Sequence, residues 1–144
     1  MPYEYQIDTN NNILFINFSK RLDDKELVEA FNTAYADDTY TPLMDQFINF
    51  ADVKDFSVTN KGIKALADLG EHFDFLNTQW KTVINAPDDL MFGYGRMYQL
   101  LRDGTGEDIH ITRLLDAALR VFTISPITYP FKPKKILLSD VITD

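Results

Sequence analysis

Between Ile13 and Phe122 the sequence passes four times from a short apolar run to one amphipathic stretch, and this alternation restricts the fold more than any other feature. The runs are Ile13-Leu14-Phe15-Ile16-Asn17-Phe18, Phe47-Ile48-Asn49-Phe50, Trp80-Lys81-Thr82-Val83-Ile84-Asn85-Ala86 and Asp108-Ile109-His110-Ile111. They are short and rich in β-branched and aromatic residues, as strands are. After each, apolar residues recur at helical spacing: Leu27, Val28, Phe31 and Tyr35, then Ile63, Leu66, Ala67 and Phe73. Leu90, Tyr94, Met97, Tyr98 and Leu101 form the third set, and Leu115, Ala118, Leu119 and Phe122 the fourth. Strands joined by single helices run parallel, through right-handed crossovers. A further strand, Tyr3 to Ile7, joined through Asn10-Asn11-Asn12, opens the chain with a hairpin. The expected order is ββαβαβαβα, a single α/β domain over residues 1–122 with a mainly parallel sheet, followed by an arm over residues 123–144.

Local signals set the boundaries. Asp23 with Glu26 three residues on forms a capping box, and the first helix should end near Asp37-Asp38. Residues 52–57 read as a polar link, Pro87 as a turn with Asp88 as cap, Gly104-Thr105-Gly106 as a stop, and Thr112 as the cap of the last helix. Beyond residue 122 three prolines interrupt the chain, and Lys132, Lys134 and Lys135 precede Ile136-Leu137-Leu138. This segment reads as an arm packed on its own domain or on a second subunit, or as a frayed terminus.

Composition narrows the function classes. The 144 residues carry a formal net charge of −8, which opposes contact with nucleic acid or anionic lipid. There is no cysteine, so disulfides, thiolate nucleophiles and cysteine metal sites are excluded. The opening MPYEYQIDTN is not a signal sequence, and no run approaches the roughly 18 apolar residues of a membrane span. A cytoplasmic protein is expected, with no cofactor and no metal site.

The stretch Asn85-Ala86-Pro87-Asp88-Asp89-Leu90-Met91-Phe92-Gly93-Tyr94-Gly95-Arg96-Met97-Tyr98, with Arg113-Leu114-Leu115-Asp116-Ala117-Ala118-Leu119 after the short strand, resembles the SpoIIAA-like family of small bacterial proteins, relatives of STAS domains. The resemblance spans residues 1–122, and its most specific element is the APDD…FG..RMY turn and helix. It implies a STAS-like fold with strands in sequence order and little about activity; related folds act as regulatory switches or hold lipids and other apolar ligands. In anti-sigma-factor antagonists of this fold a phosphorylatable serine sits in an Asp-Ser-Ser-Gly motif. Placing Gly62 on its glycine sets Thr59, Asn60 and Lys61 on the rest, so both serines are missing and the phosphoserine switch is not carried over.

Lined up by their ends, the four parallel strands each finish apolar, polar, apolar, which predicts a row of Asn17, Asn49, Asn85 and His110 on one face. Phe15, Phe47 and Val83 would form an apolar band below it, on a face free of helices, at the carboxyl ends where open α/β sheets bind ligands. Two readings fit: polar residues satisfying one another or solvent on a sheet face, or a pocket with an apolar floor and convergent polar groups. A second candidate is the turn and helix bearing Asp88, Asp89, Gly93, Gly95 and Arg96, where glycines would let a ligand approach and Arg96 would meet an anion. Capping, helix packing and surface ion pairing explain the same residues. Among titratable groups, His72 and Asp74 are two apart on an expected helix and do not share a face, whereas His110, with Asp108 on its face, is a general-base candidate without a nucleophile. The expected function is non-enzymatic: a homodimeric module binding a protein partner or a small ligand, with a lipid or other apolar-ligand carrier as the alternative and a His110-dependent hydrolase as a third class. The dimer is expected because an uncovered apolar band is a liability in a monomer.

Overall fold

The computed structural model describes residues 3–76, 78–123 and 129–131. Its elements are β1 (Tyr3–Asp8), β2 (Ile13–Asp23), α1 (Asp24–Tyr35), β3 (Asp45–Ser57), α2 (Asn60–Glu71), β4 (Trp80–Asn85), α3 (Asp89–Leu101), β5 (Glu107–Thr112) and α4 (Leu115–Val121), with a 3-10 turn at Asp74–Leu76. One sheet runs in the order β1-β2-β3-β4-β5, with β1 antiparallel and the remaining pairs parallel. The parallel pairing is what the strand–helix alternation predicts, and the sequential strand order is what the SpoIIAA-like resemblance implies. At the hairpin, Asn12 takes a left-handed φ of 59°, which asparagine tolerates, while Asp8 Oδ1 accepts from the Asn11 N–H at 3.0 Å.

Alternation along the strands divides the core in two. Leu14, Ile16, Phe18, Ile48, Ile84 and Ile109 face α1, α2 and α3, where they meet Leu27, Phe31, Ile63, Leu66, Met91 and Tyr98. Ile13, Phe15, Phe47 and Val83 face the other way, against Ala118 and Leu119 of α4 and against Tyr129. β2 is thus buried on both faces, which is why it reads as a continuous apolar run.

Four expectations are corrected. The face behind Phe15 and Phe47 is not free of helices: α4 packs over it through Ala118 and Leu119, and Tyr129 and Phe131 extend the cover. Residues 52–57 are not a link but the second half of β3, which pairs with Ser19 to Asp23 of β2 through two register shifts. β3 meets β4 only from Gln46 to Asn49, so the β2–β3 pair continues as a two-stranded overhang beyond the rest of the sheet. The buried stripe of α3 is Met91, Gly95 and Tyr98, leaving Leu90 and Leu101 54% and 43% exposed. Its true face includes a glycine and continues to Arg102, neither of which an apolar pattern marks. Finally, Thr112 ends β5 and Leu114 is the N-cap of α4, without a side-chain cap.

The other caps follow the sequence. Asp23 Oδ1 accepts from the Glu26 N–H at 2.9 Å, and Asp88 Oδ1 from the Met91 N–H at 2.9 Å. α2 is capped from outside: Thr59 offers no side-chain cap, and its N–H and hydroxyl both donate to the Asp24 carboxylate, the N–H at 2.7 Å. α2 ends at Glu71, so Phe73 and Asp74 lie past the helix in which Phe73 is expected. Of the arm, Tyr129 to Phe131 pack on the domain, and the remainder of residues 124–144 lies outside the described residues.

Candidate functional site

Three of the four predicted row members stand side by side. Parallel pairing sets Asn17 against Asn49 and Asn49 against Asn85, and all three are at most 4% exposed. The fourth position belongs to Thr112, because β5 pairs two residues further on than expected; His110 lies opposite Val83 instead. A shift of two keeps the face and changes the level.

The side chains form a chain of hydrogen bonds across the sheet. Thr112 Oγ1 donates to Asn85 Oδ1 at 3.1 Å, Asn85 Nδ2 to Asn49 Oδ1 at 3.0 Å, and Asn49 Nδ2 to Asn17 Oδ1 at 2.9 Å. Asn17 Nδ2 completes it with a long bond to Asp52 Oδ2 at 3.3 Å. The Tyr129 hydroxyl closes the row from above, accepting from Asn49 Nδ2 at 3.1 Å and donating to Asn17 Oδ1 at 3.4 Å. Burial pushes that phenol up to about 12, and the nearby Asp52 and Glu4 charges add to the rise, so Tyr129 stays a neutral donor.

An amide offers two donors and two acceptor lone pairs. Asn49 uses all four, since its Oδ1 also accepts from the Ala51 N–H at 3.1 Å. Asn85 uses one N–H and one lone pair within the described residues, and it lines a cavity of about 310 Å³ with Asp52, Arg113, Leu114, Leu115 and Phe131. Arg113 is held at this rim: Nη1 donates to Asp89 Oδ1 at 2.9 Å and to the Pro87 carbonyl at 3.3 Å, and its guanidinium lies 4.4 Å from the Phe92 ring centroid.

The apolar band below is filled. Phe15 and Phe47 lie 5.9 Å apart, with Tyr129 5.8 and 5.4 Å from them and Phe122 6.1 Å from Phe47. Of the second predicted constellation, Asp88 caps α3 and Asp89 pairs with Arg113 at the cavity rim. Gly93 faces open space, and Arg96 bonds Gln99 at 2.8 Å on the helix surface, so neither reaches the cavity. Gly95 is a packing position, since a Cβ there would meet Ile111 Cγ2 at 3.3 Å. His110, its side chain 40% exposed on the edge strand, holds Asp108 Oδ2 at 2.9 Å. Among the described residues no group of three or more His, Asp or Glu is placed to hold a metal ion.

A second polar cluster lies on the α3 side. Arg102, 2% exposed, grips Asp74 through Nη1 and Nη2 at 3.0 and 2.7 Å and donates through Nε to Glu107 at 2.8 Å. Glu107 also accepts from the Tyr98 hydroxyl at 2.8 Å and from Thr82. A cavity of about 400 Å³ opens beside it, but these charges are already paired with one another. Sequence reasoning missed Tyr129, Thr112, Asp52 and Arg113. Thr112 shares a face with His110 by simple alternation, whereas nothing in the prolines around Tyr129 signals a sheet contact.

No protein-family model matches the chain, and no curated protein matches it. Among solved structures it is similar to an uncharacterised protein of the DUF3478 family with a SpoIIAA-like fold from Shewanella loihica PV-4, at a TM-score of 0.51 and 12% identity, over 83% of this chain and 91% of that one. Among the described residues no helix is long and apolar enough to cross a membrane. Five strands in sequence order, three helices on one face and this likeness together give the chain a SpoIIAA-like α/β fold.

Proposed function

We propose that this chain is a non-enzymatic binding module that senses a small polar molecule in the cavity over the asparagine row. The observation that carries this reading is Asn85: a side chain 1% exposed that lines a cavity and commits one N–H and one lone pair among the described residues, so that each of its polar atoms has capacity for one bond more. Buried amide groups are otherwise satisfied in folded proteins, so spare capacity at a cavity wall favours an occupant. Asn85 and Thr112 stand at the carboxyl ends of β4 and β5, the usual ligand position in open α/β sheets, whereas Asn17 and Asn49 beside them are mid-strand because β2 and β3 run on.

The apolar-carrier alternative has less support, because Phe15 and Phe47 spend their ring faces on Tyr129 and Phe122. A homodimer and a protein partner are separate proposals, and cover by α4 removes the bare face that motivated the dimer. Native mass spectrometry of freshly purified protein tests occupant and oligomer together. Ala51→Leu, which extends a side chain at the cavity wall, should expel a bound molecule while the fold persists. Retention of that molecule by the variant would move the site elsewhere.

A further inference from the structure

The occupant's chemistry can be narrowed, on the assumption that the cavity is a ligand site. We infer that it takes an amino-acid-like zwitterion, carboxylate toward Arg113, ammonium toward Asp52, and an apolar side chain against Leu114 and Phe131. The cavity wall includes an acidic and a basic side chain, Asp52 and Arg113, the latter also paired with Asp89 at the rim. Asp52 lies on β3 beyond its pairing with β4, and Arg113 follows β5, two strands away, so the two anchors reach the cavity from different strands. A cavity of about 310 Å³ has room for a short dipolar molecule.

Each anchor has capacity left. Arg113 commits Nη1 to Asp89 and Pro87, which leaves Nε–H and Nη2 as an edge suited to a carboxylate. Asp52 takes one long bond at Oδ2, and its Oδ1 has no partner among the described residues. Asn85 supplies between them what both ends need, an N–H for a carboxylate and a lone pair for an ammonium. A simple anion would meet Asp52 and a protein of net charge −8, and a simple cation would meet Arg113. A zwitterion is the small charged species for which neither wall is repulsive.

The test is titration of the full chain with L-leucine, L-methionine and L-phenylalanine, observed by the side-chain amide resonances of Asn85 and by calorimetry. Each is run beside its deaminated acid, its decarboxylated amine and its N-acetyl amide. At least one amino acid should saturate the site, with both singly charged analogues weaker by about tenfold or more. Asp52→Asn should weaken the amino acid and spare the acid, and Arg113→Gln should weaken it and spare the amine. Acid or amine binding as tightly as the parent, or N-acetyl amides moving the Asn85 resonances when no amino acid does, overturns the zwitterion and leaves the site standing. A co-purified molecule of another class in the cavity does the same. If no probe moves those resonances and no bound mass is found, both readings fall.

Discussion

Replacing Asn49 with leucine, a residue of nearly the same shape, isolates the value of the asparagine row. The substitution deletes four hydrogen bonds, but their loss is unequal. Asn17 Oδ1 keeps the Tyr129 hydroxyl at 3.4 Å, whereas Asn85 Nδ2 and the Ala51 N–H lose the acceptor they share. Two orphaned donors at about 1–3 kcal/mol each, offset by about 1.5–3 kcal/mol for burying the leucine, give a net loss near 2 kcal/mol. Unfolding entropy of about 2.1 cal/mol/K per residue over 144 residues converts this to a fall in Tm of about 7 °C. Calorimetry on the variant reads it directly. The same reasoning makes Asn49→Leu and Asn85→Leu non-additive, because leucine at position 85 removes one of the donors that leucine at 49 would orphan. The double variant should lose less than the sum by about 1 kcal/mol. A midpoint unmoved by Asn49→Leu, or additive losses in urea denaturation, would refute the claim that these amides act as one network.

The buried ionic cluster, the outside cap and the tyrosines give further tests. Arg102→Met should destabilise the protein by about 3–5 kcal/mol, because Glu107 is left charged and buried; adding Glu107→Gln should restore part of this in urea denaturation. Gly62→Ala should destabilise despite alanine's better helix propensity of about 1 kcal/mol, since its Cβ would fall 2.2 Å from Asp24 Oδ1 and drive that carboxylate off Thr59. In an Asp24→Ala background the same change should stabilise, and the reversal of sign in paired melts is the readout. Burial raises the phenols of Tyr35, Tyr98 and Tyr129, the last to about 12. Their neutral forms favour the fold fully below the ordinary phenol range, near pH 10, so stability should decline as pH rises from there through about 12. Phenolate absorbance should show Tyr129 titrating late in the native protein, with that late component smaller in Tyr129→Phe.

The element order was legible because strands and helices alternate, and the row because Asn recurs at one phase of three strands. What escaped had little to do with hydrophobic period. His110 took the place of Thr112 because strand ends were aligned by pattern, while the level of β5 is set by pairing Trp80 with Glu107. That pairing starts β5 at a buried glutamate whose burial is explained by its partners Arg102, Tyr98 and Thr82. The α3 face was misphased for a related reason, since a buried arginine looks like a surface residue until its two carboxylates are in place. The cover over Phe15 and Phe47 was illegible because Tyr129 lies 80 residues from Asn49 along the chain and is held by a hydroxyl rather than by any periodic pattern.

The overhang of β2 and β3 past the sheet has a consequence for solubility. Among the described residues no β4 residue pairs with β3 from Phe50 to Ser57 and β1 pairs with β2 no further than Phe18, so both margins of this ribbon carry backbone groups that another chain's strand could extend. Its construction resists that. Lys20 sits at a left-handed φ of 63° beside a register shift, which breaks the straight row of donors and acceptors an incoming strand needs. Lys20, Arg21, Lys54 and Asp55 are all exposed along it, while Leu22, Phe50 and Val53 are buried. The ribbon keeps its apolar side in the fold and shows charge at its edges, so the longest strands of the protein are also those best guarded against fibril-like pairing.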